Sequence, residues 1–351
     1  MDKEFRYALP VAETGWLVDG ASSTILRWDY DSGRAGLLAL YDKGKRQQWN
    51  AAERIDWSRD LDPENPAEIA DWTISIYGSD VWNRMTAKEQ ANLRRHSQAW
   101  QFSQFLHGEQ GALVCCAKIV QQAPDLDAKF FAATQVMDEA RHVEAYSRLL
   151  REKFELAFPI TSPLQTLLDA VVRDGRWDMT YLGMQVLIEG LALAAFQLFR
   201  DEAKNPLAAA VNSYVMQDEA RHVAFGRLAL RDYYPQLTEA ERREREEFVV
   251  TACYHMHDRF LADELWEAVG LPKAECVAIA HGSERLRYFR AQLFSRIVPM
   301  IRDIGLLGPE VKAAFADMGV LAFAEIDLAS LLARDAEIAG GFDARRAGAA
   351  S

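Results

Sequence analysis

The sequence predicts an all-α protein: a four-helix bundle with additional N- and C-terminal helices. Three observations predict it. One pattern, a lone Glu followed thirty residues later by Glu-x-x-His, occurs twice at a constant offset. Glu109 and Glu189, Glu139 and Glu219, and His142 and His222 are each eighty residues apart. The hexapeptide 138–143 is repeated without change at 218–223. An internal repeat of this size reads as two helical hairpins of similar design joined by a crossover. Around both lone Glu residues, apolar side chains recur at helical spacing. Phe102, Phe105, Leu106, Ala112, Leu113 and Cys116 share a face with Glu109, and Val186, Ala192, Leu193 and Phe196, with Gln185, share one with Glu189. No segment alternates with the period of a strand.

The elements follow from start and stop signals. Residues 1–85 read as an N-terminal cap segment, helical over 34–45 and a proline-containing loop over 55–66. Thr86 with Glu89 forms a capping box that opens a helix running to 122, where Pro124 stops it. A second helix spans 126–157 and ends before Pro159; a short one fills 162–173. The third long helix, 176–203, ends at Asn205-Pro206, and the fourth, 207–232, at Tyr234-Pro235. Thr238 with Glu241 opens another helix, expected to run unbroken to 269. Helices at 274–302, 309–317 and 320–337 are expected after it. Residues 86–338 are read as one helical domain and 339–351, small and polar, as a flexible tail.

A chain of 351 residues, 50% of them hydrophobic, can bury a large core. A net charge of −12 and a pI near 5.2 argue against nucleic-acid and membrane-surface partners. No apolar run is read as long enough to span a bilayer, and the N-terminus lacks a signal-peptide pattern, so a cytoplasmic location is expected. Cys115, Cys116, Cys253 and Cys276 form no Cys-x-x-Cys pair and are expected to be reduced thiols.

The repeated residues point to metal. Positions three apart on a helix share a face, so Glu139 with His142 and Glu219 with His222 can each address one spot. Carboxylate and imidazole suit iron and manganese, and a set without thiolates argues against structural zinc and iron–sulfur clusters. A Glu amid an apolar face is costly to bury unless its charge is compensated. The lone Glu109 and Glu189 would come from two other helices and could bridge two ions. His96, His107, His255, His257 and His281 lack a partner at ligand spacing. Trp49, Trp57, Trp72, Trp82 and Trp100 are dense in the first hundred residues, as packing for the N-terminal segment or as an electron path.

On these residues the chain resembles the ferritin-like di-iron carboxylate proteins, over about residues 87–235. It is most similar to their oxygen-activating branch: multicomponent monooxygenases, acyl-carrier-protein desaturases, arylamine N-oxygenases, and ribonucleotide reductase small subunits with their ligand-binding oxidase relatives. The resemblance implies a ferritin-like four-helix bundle holding two Fe ions, with Mn/Fe an alternative, on Glu109, Glu139, His142, Glu189, Glu219 and His222. It implies that Asp138 serves His222, that Asp218 serves His142, and that Arg141 and Arg221 pair with those aspartates. Tyr146 stands where small subunits of ribonucleotide reductase carry a radical tyrosine; hydrogen bonding to a ligand carboxylate, or core packing, are its other readings.

The implied activity is that of an O2-dependent di-iron oxygenase, a monooxygenase, hydroxylase or N-oxygenase, acting on a small or medium organic substrate. Its implied partners are O2, that substrate, an external ferredoxin or reductase and a second copy of the chain as a homodimer. Two departures stand out. Leu193 replaces the Thr of similar multicomponent monooxygenases, and Val215 stands where arylamine N-oxygenases carry an extra histidine ligand. Three alternatives compete with it. A ribonucleotide-reductase-like radical subunit lacks its C-terminal tyrosine here, because the last one is Tyr288, though a ligand-binding oxidase survives that objection. A ferroxidase needs only about half this length. An acyl-carrier-protein desaturase fits the acidic surface poorly.

Overall fold

The structure, a computed structural model, describes residues 33–334 together with residues 8, 9, 24, 26 and 337. The expected tail at 339–351 lies outside the described residues, as does most of the segment before residue 33. Among the described residues the elements are all helical. Helix α1 (Ala35–Arg46) precedes a loop-rich stretch, and then α2 (Ala87–Gln122) runs for 36 residues. The capping box at its start is reciprocal: Thr86 Oγ1 accepts from the Glu89 N–H, and the Glu89 carboxylate accepts from the Thr86 N–H at 2.7 Å. Helix α3 (Leu126–Arg148) starts on Asp125, whose side chain caps the Ala128 N–H. Helix α4 (Ser162–Arg173) follows, then α5 (Trp177–Glu202) and α6 (Pro206–Tyr233), the last capped by Asn205.

Helices α2 and α3 form one hairpin, and α5 and α6 the other. Helix α3 packs on α6, the N-terminal part of α5 packs on α2, and α1 lies across both α3 and α6. The short links at 123–125 and 203–205 leave each pair antiparallel. Phe102, Phe105, Tyr146, Phe196 and Phe199 interlock between the hairpins, Phe105 and Phe196 edge to face at 4.8 Å. Each such ring stabilises the bundle by roughly 1.5–3 kcal/mol when fully buried. Gly226 lets α6 approach α5 closely, because a Cβ there would collide with the Gln185 side chain.

Several expectations are corrected. The second and third helices are not uniformly α: Leu149–Phe154 and Leu182–Ile188 are π-helical. A π turn holds an extra residue and changes the face that follows it; here the second one ends at Glu189. Helix α7 (Glu239–Asp258) stops early. Ala262 adopts a left-handed backbone (φ 56°), and a separate helix Asp263–Ala268 buries Trp266, whose indole N–H donates to Leu261 O at 2.8 Å. The expected helix 274–302 is three helices, Lys273–Gly282, Glu284–Leu293 and Ile297–Asp303, the second restarted by a cap from Ser283. In place of a helix from 320, Leu321–Glu325 is a 3-10 turn, and 328–334 is helical.

The reading of no membrane-length segment also needs correction. Helix α5 is long and apolar enough by length and mean hydropathy (1.6), but 78% of that window is buried within the molecule. It is packed as a core helix.

Candidate metal centre

The six repeated side chains come from all four bundle helices: Glu109 from α2, Glu139 and His142 from α3, Glu189 from α5, Glu219 and His222 from α6. All are buried, none more than 4% exposed. His142 Nδ1 lies 3.2 Å from Glu109, 3.3 Å from Glu139 and 3.1 Å from Glu219. His222 Nδ1 lies 3.0 Å from Glu139 and 3.5 Å from Glu219. Donor atoms of Glu109, Glu139, His142 and Glu219 all fall within 4.8 Å of one another, and so do those of Glu189, Glu219 and His222. The carboxylates between the two imidazoles are therefore Glu139 and Glu219. The lone Glu109 and Glu189 sit at the two ends rather than between the imidazoles.

Each imidazole is held from behind by the other hairpin. His142 Nε2 donates to Asp218 at 3.1 Å, and His222 Nε2 donates to Asp138 at 3.1 Å. Arg141 bonds both aspartates, at 2.5 Å to Asp138 and 2.8 Å to Asp218. Arg221 does the same, at 3.0 Å and 2.6 Å. A neutral imidazole has one N–H. With that proton turned to Asp, each Nδ1 presents a lone pair to a cluster of carboxylate oxygens, as a cation site requires.

With no cation between them, the same groups favour sharing protons instead. Burial, then the charge of Glu219, pushes the carboxyls of Glu109 and Glu189 well above the usual range. Burial would also raise Glu139, but the charges of His222 and His142 and their hydrogen bonds hold it below. Burial would raise Asp218 too; the His142 hydrogen bond and the Arg221 and Arg141 charges outweigh it. Both imidazoles are held well above their ordinary value: burial lowers them, and Glu109 for His142 and Glu139 for His222 more than reverse it. Glu139 Oε2, Glu189 Oε2, both Glu219 oxygens and His222 Nδ1 are buried without a hydrogen-bond partner. Orphaned acceptors cost about 1–3 kcal/mol each. Two metal ions would satisfy them, so the residues present fit the group, and the donor set suits iron or manganese.

Tyr146 is fully buried, and its hydroxyl donates to Asn212 Oδ1 at 3.0 Å, away from the carboxylates. Its ring stacks on Phe196. Sequence reasoning missed Gln135, whose Nε2 donates to Glu139 at 3.0 Å and to Glu189 at 2.9 Å. A Gln one turn before Glu139 on a buried face was the available signal. It also missed Gln48, which donates to Asp138 at 2.8 Å, and Gln47, which accepts from Arg221 at 2.9 Å. Trp49, expected to pack or to carry electrons, has its indole N–H donating to Asp218 at 2.8 Å. His107 bonds Phe158 O, away from the site.

A narrow cavity of about 30 Å³ reaches the centre between α2 and α5. Phe105, Gly108, Ala112, Ala192 and Phe196 wall it, Glu109, Glu189 and Glu219 floor it, and Leu164 and Phe260 also line it. As it stands it has room for about one water or O2, so a larger substrate would have to displace the side chains that wall it.

A family model described as "P-aminobenzoate N-oxygenase AurF" matches residues 33–305. No curated protein matches. Among solved structures, the chain is similar to an R2-like ligand-binding oxidase mutant with anaerobically reconstituted Mn/Fe cofactor. The TM-score is 0.49 at 20% identity, covering 77% of this chain and 94% of that one. It is also similar to an R2-like ligand-binding oxidase mutant with aerobically reconstituted Mn/Fe cofactor, at TM-score 0.47 and 18% identity, covering 77% and 93%.

Proposed function

Because the chain belongs to the family of the p-aminobenzoate N-oxygenase AurF, we propose that it is an O2-activating di-iron oxygenase that oxidises the nitrogen of a small or medium aromatic amine. The observation that carries this reading is the convergence of six buried side chains from four helices on a space that leaves their acceptor atoms unpaired. In this proposal Glu109 and His142 would hold one ion and Glu189 and His222 the other, with Glu139 and Glu219 within reach of both imidazoles. When bound, two ferrous ions supply the electrons and Lewis acidity for O2 reduction.

The chain's own residues orient and exclude. Asp138 and Asp218 fix the tautomer and angle of the two imidazoles. Arg141 and Arg221 neutralise those aspartates. The walls of Phe105 and Phe196 keep water from the reacting side. Tyr146 is proposed as part of this catalytic neighbourhood, since its ring packs on both phenylalanines. Inserting one oxygen atom and releasing the other as water consumes two electrons and two protons, so an external ferredoxin or reductase belongs to the proposal. A homodimer belongs to it too, supported by the exposed apolar Phe130 and Met137 on α3.

The test is anaerobic iron(II) titration followed by O2 uptake with an arylamine. Two irons per chain, and O2 consumption yielding a hydroxylamine or nitro product, are expected; no iron binding would end the reading. A second reading, oxidation at carbon, draws on Val215, buried and apolar where arylamine N-oxygenases carry a seventh ligand. A phenol or alcohol product would select it.

A further inference from the structure

We infer that the site takes a neutral, slim, mainly apolar substrate with one hydrogen-bond acceptor at the end remote from the reacting group, and that Gln101 reads that acceptor. The inference rests on the oxygenase reading and narrows it.

Gln101 lines the cavity on the same face of α2 as Phe105, Gly108, Glu109 and Ala112. It stands eight residues before Glu109, about 12 Å of helix rise. The side chain is only 6% exposed, and its Nε2 has no hydrogen-bond partner. The neighbouring Gln104 is already committed: its Nε2 donates to Pro159 O at 3.0 Å and its Oε1 accepts from the Thr161 N–H at 2.9 Å. Gln101 thus carries the uncommitted amide donor among the described residues that line the cavity.

Charge sets the class. Among the described residues lining the cavity none is cationic. The four carboxylates of the centre cancel the four positive charges of two divalent ions, and Asp138 and Asp218 are already matched by Arg141 and Arg221. No positive charge remains for a substrate carboxylate, which would be buried beside Phe105 and Phe196 with one amide donor. Burying an unpaired anion is strongly unfavourable. A neutral carbonyl or ether oxygen needs only the one donor that Gln101 has.

The test titrates iron(II)-loaded protein, kept free of O2 so that nothing turns over, with three probes sharing one ring and one amine. These are methyl 4-aminobenzoate, 4-aminobenzoate and 4-propylaniline, followed calorimetrically at pH 7.5. The ester is expected to bind at least about tenfold more tightly than the carboxylate and about fivefold more tightly than propylaniline, the size of one hydrogen bond. Gln101→Leu should erase the ester's advantage over propylaniline and leave propylaniline unchanged. Gln101→Arg should invert the order, with the carboxylate ahead. A carboxylate that binds the unaltered protein as tightly as the ester overturns the inference without needing any variant. So does binding by none of the three, or an ester advantage that survives Gln101→Leu. Iron content and O2 uptake on the same samples keep the two claims apart. Without two irons the oxygenase reading falls; with two irons, O2 uptake and a preference for the carboxylate, only the substrate class falls.

Discussion

In the α2–α3 hairpin, Gln135 sits one turn before Glu139; at the matching place in the α5–α6 hairpin stands Val215. The same eighty-residue offset sets Cys116 against Phe196, Gln185 against Phe105, and Tyr146 against Gly226. The charged groups repeat and their surroundings do not. Around Glu139 and Glu189 lie an amide and a thiol: Gln135 bonds both carboxylates, and Cys116 lies within reach of both. The rings of Phe105 and Phe196 stand on the other side, over the cavity that Glu109, Glu189 and Glu219 floor. A pseudo-symmetric pair of hairpins can hold two ions alike and still present them to different media. The polar side steadies the carboxylates, and the aromatic side is where an apolar substrate can lie.

The comparison can be broken at several points. The largest effect should come from Glu219→Ala, which removes a carboxylate lying between both imidazoles. Iron stoichiometry, read by elemental analysis after desalting, should fall from two to one or fewer per chain. Gln135→Val makes the first hairpin resemble the second. It should weaken iron binding by about 10–100-fold in chelator competition, as loss of an outer partner does. It should also cost about 1–3 kcal/mol by urea unfolding, because buried Glu oxygens lose their donor.

Smaller still is the contrast between two glycines. Gly226→Ala meets Gln185 and should cost about 1–3 kcal/mol. Gly108→Ala faces open space and should gain up to about 1 kcal/mol from helix propensity, with thermal melts reporting both. The smallest signal concerns the thiols. Burial, the main cause, pushes Cys115 up to about 12 and Cys116 well above its ordinary value. At pH 8 both are then neutral, and a disulfide reagent should leave them untouched in folded protein while reacting with all four cysteines in urea.

The bundle and the six central residues were legible because they repeat, and repetition at a fixed offset is hard to produce by chance. Gln135 was harder to see, since its partner Glu189 lies 54 residues away. Trp49 was harder again, bonded to Asp218 across 169 residues. Local sequence carries no trace of such pairings. The π turns were invisible for a related reason: an extra residue in a turn leaves the helical pattern nearly intact. The break after α7 comes with a left-handed backbone at Ala262, which no turn former announced. The restart at Gly282-Ser283 did carry a local signal, glycine and then a capping serine.

The crossed aspartates bear on autonomy. Each hairpin looks like one copy of a duplicated module, yet Asp138 of the first secures His222 of the second, and Asp218 secures His142. Severed at 203–205, either fragment would keep its histidine and lose the carboxylate that aims it. In the present chain the halves have exchanged the means of their own independence.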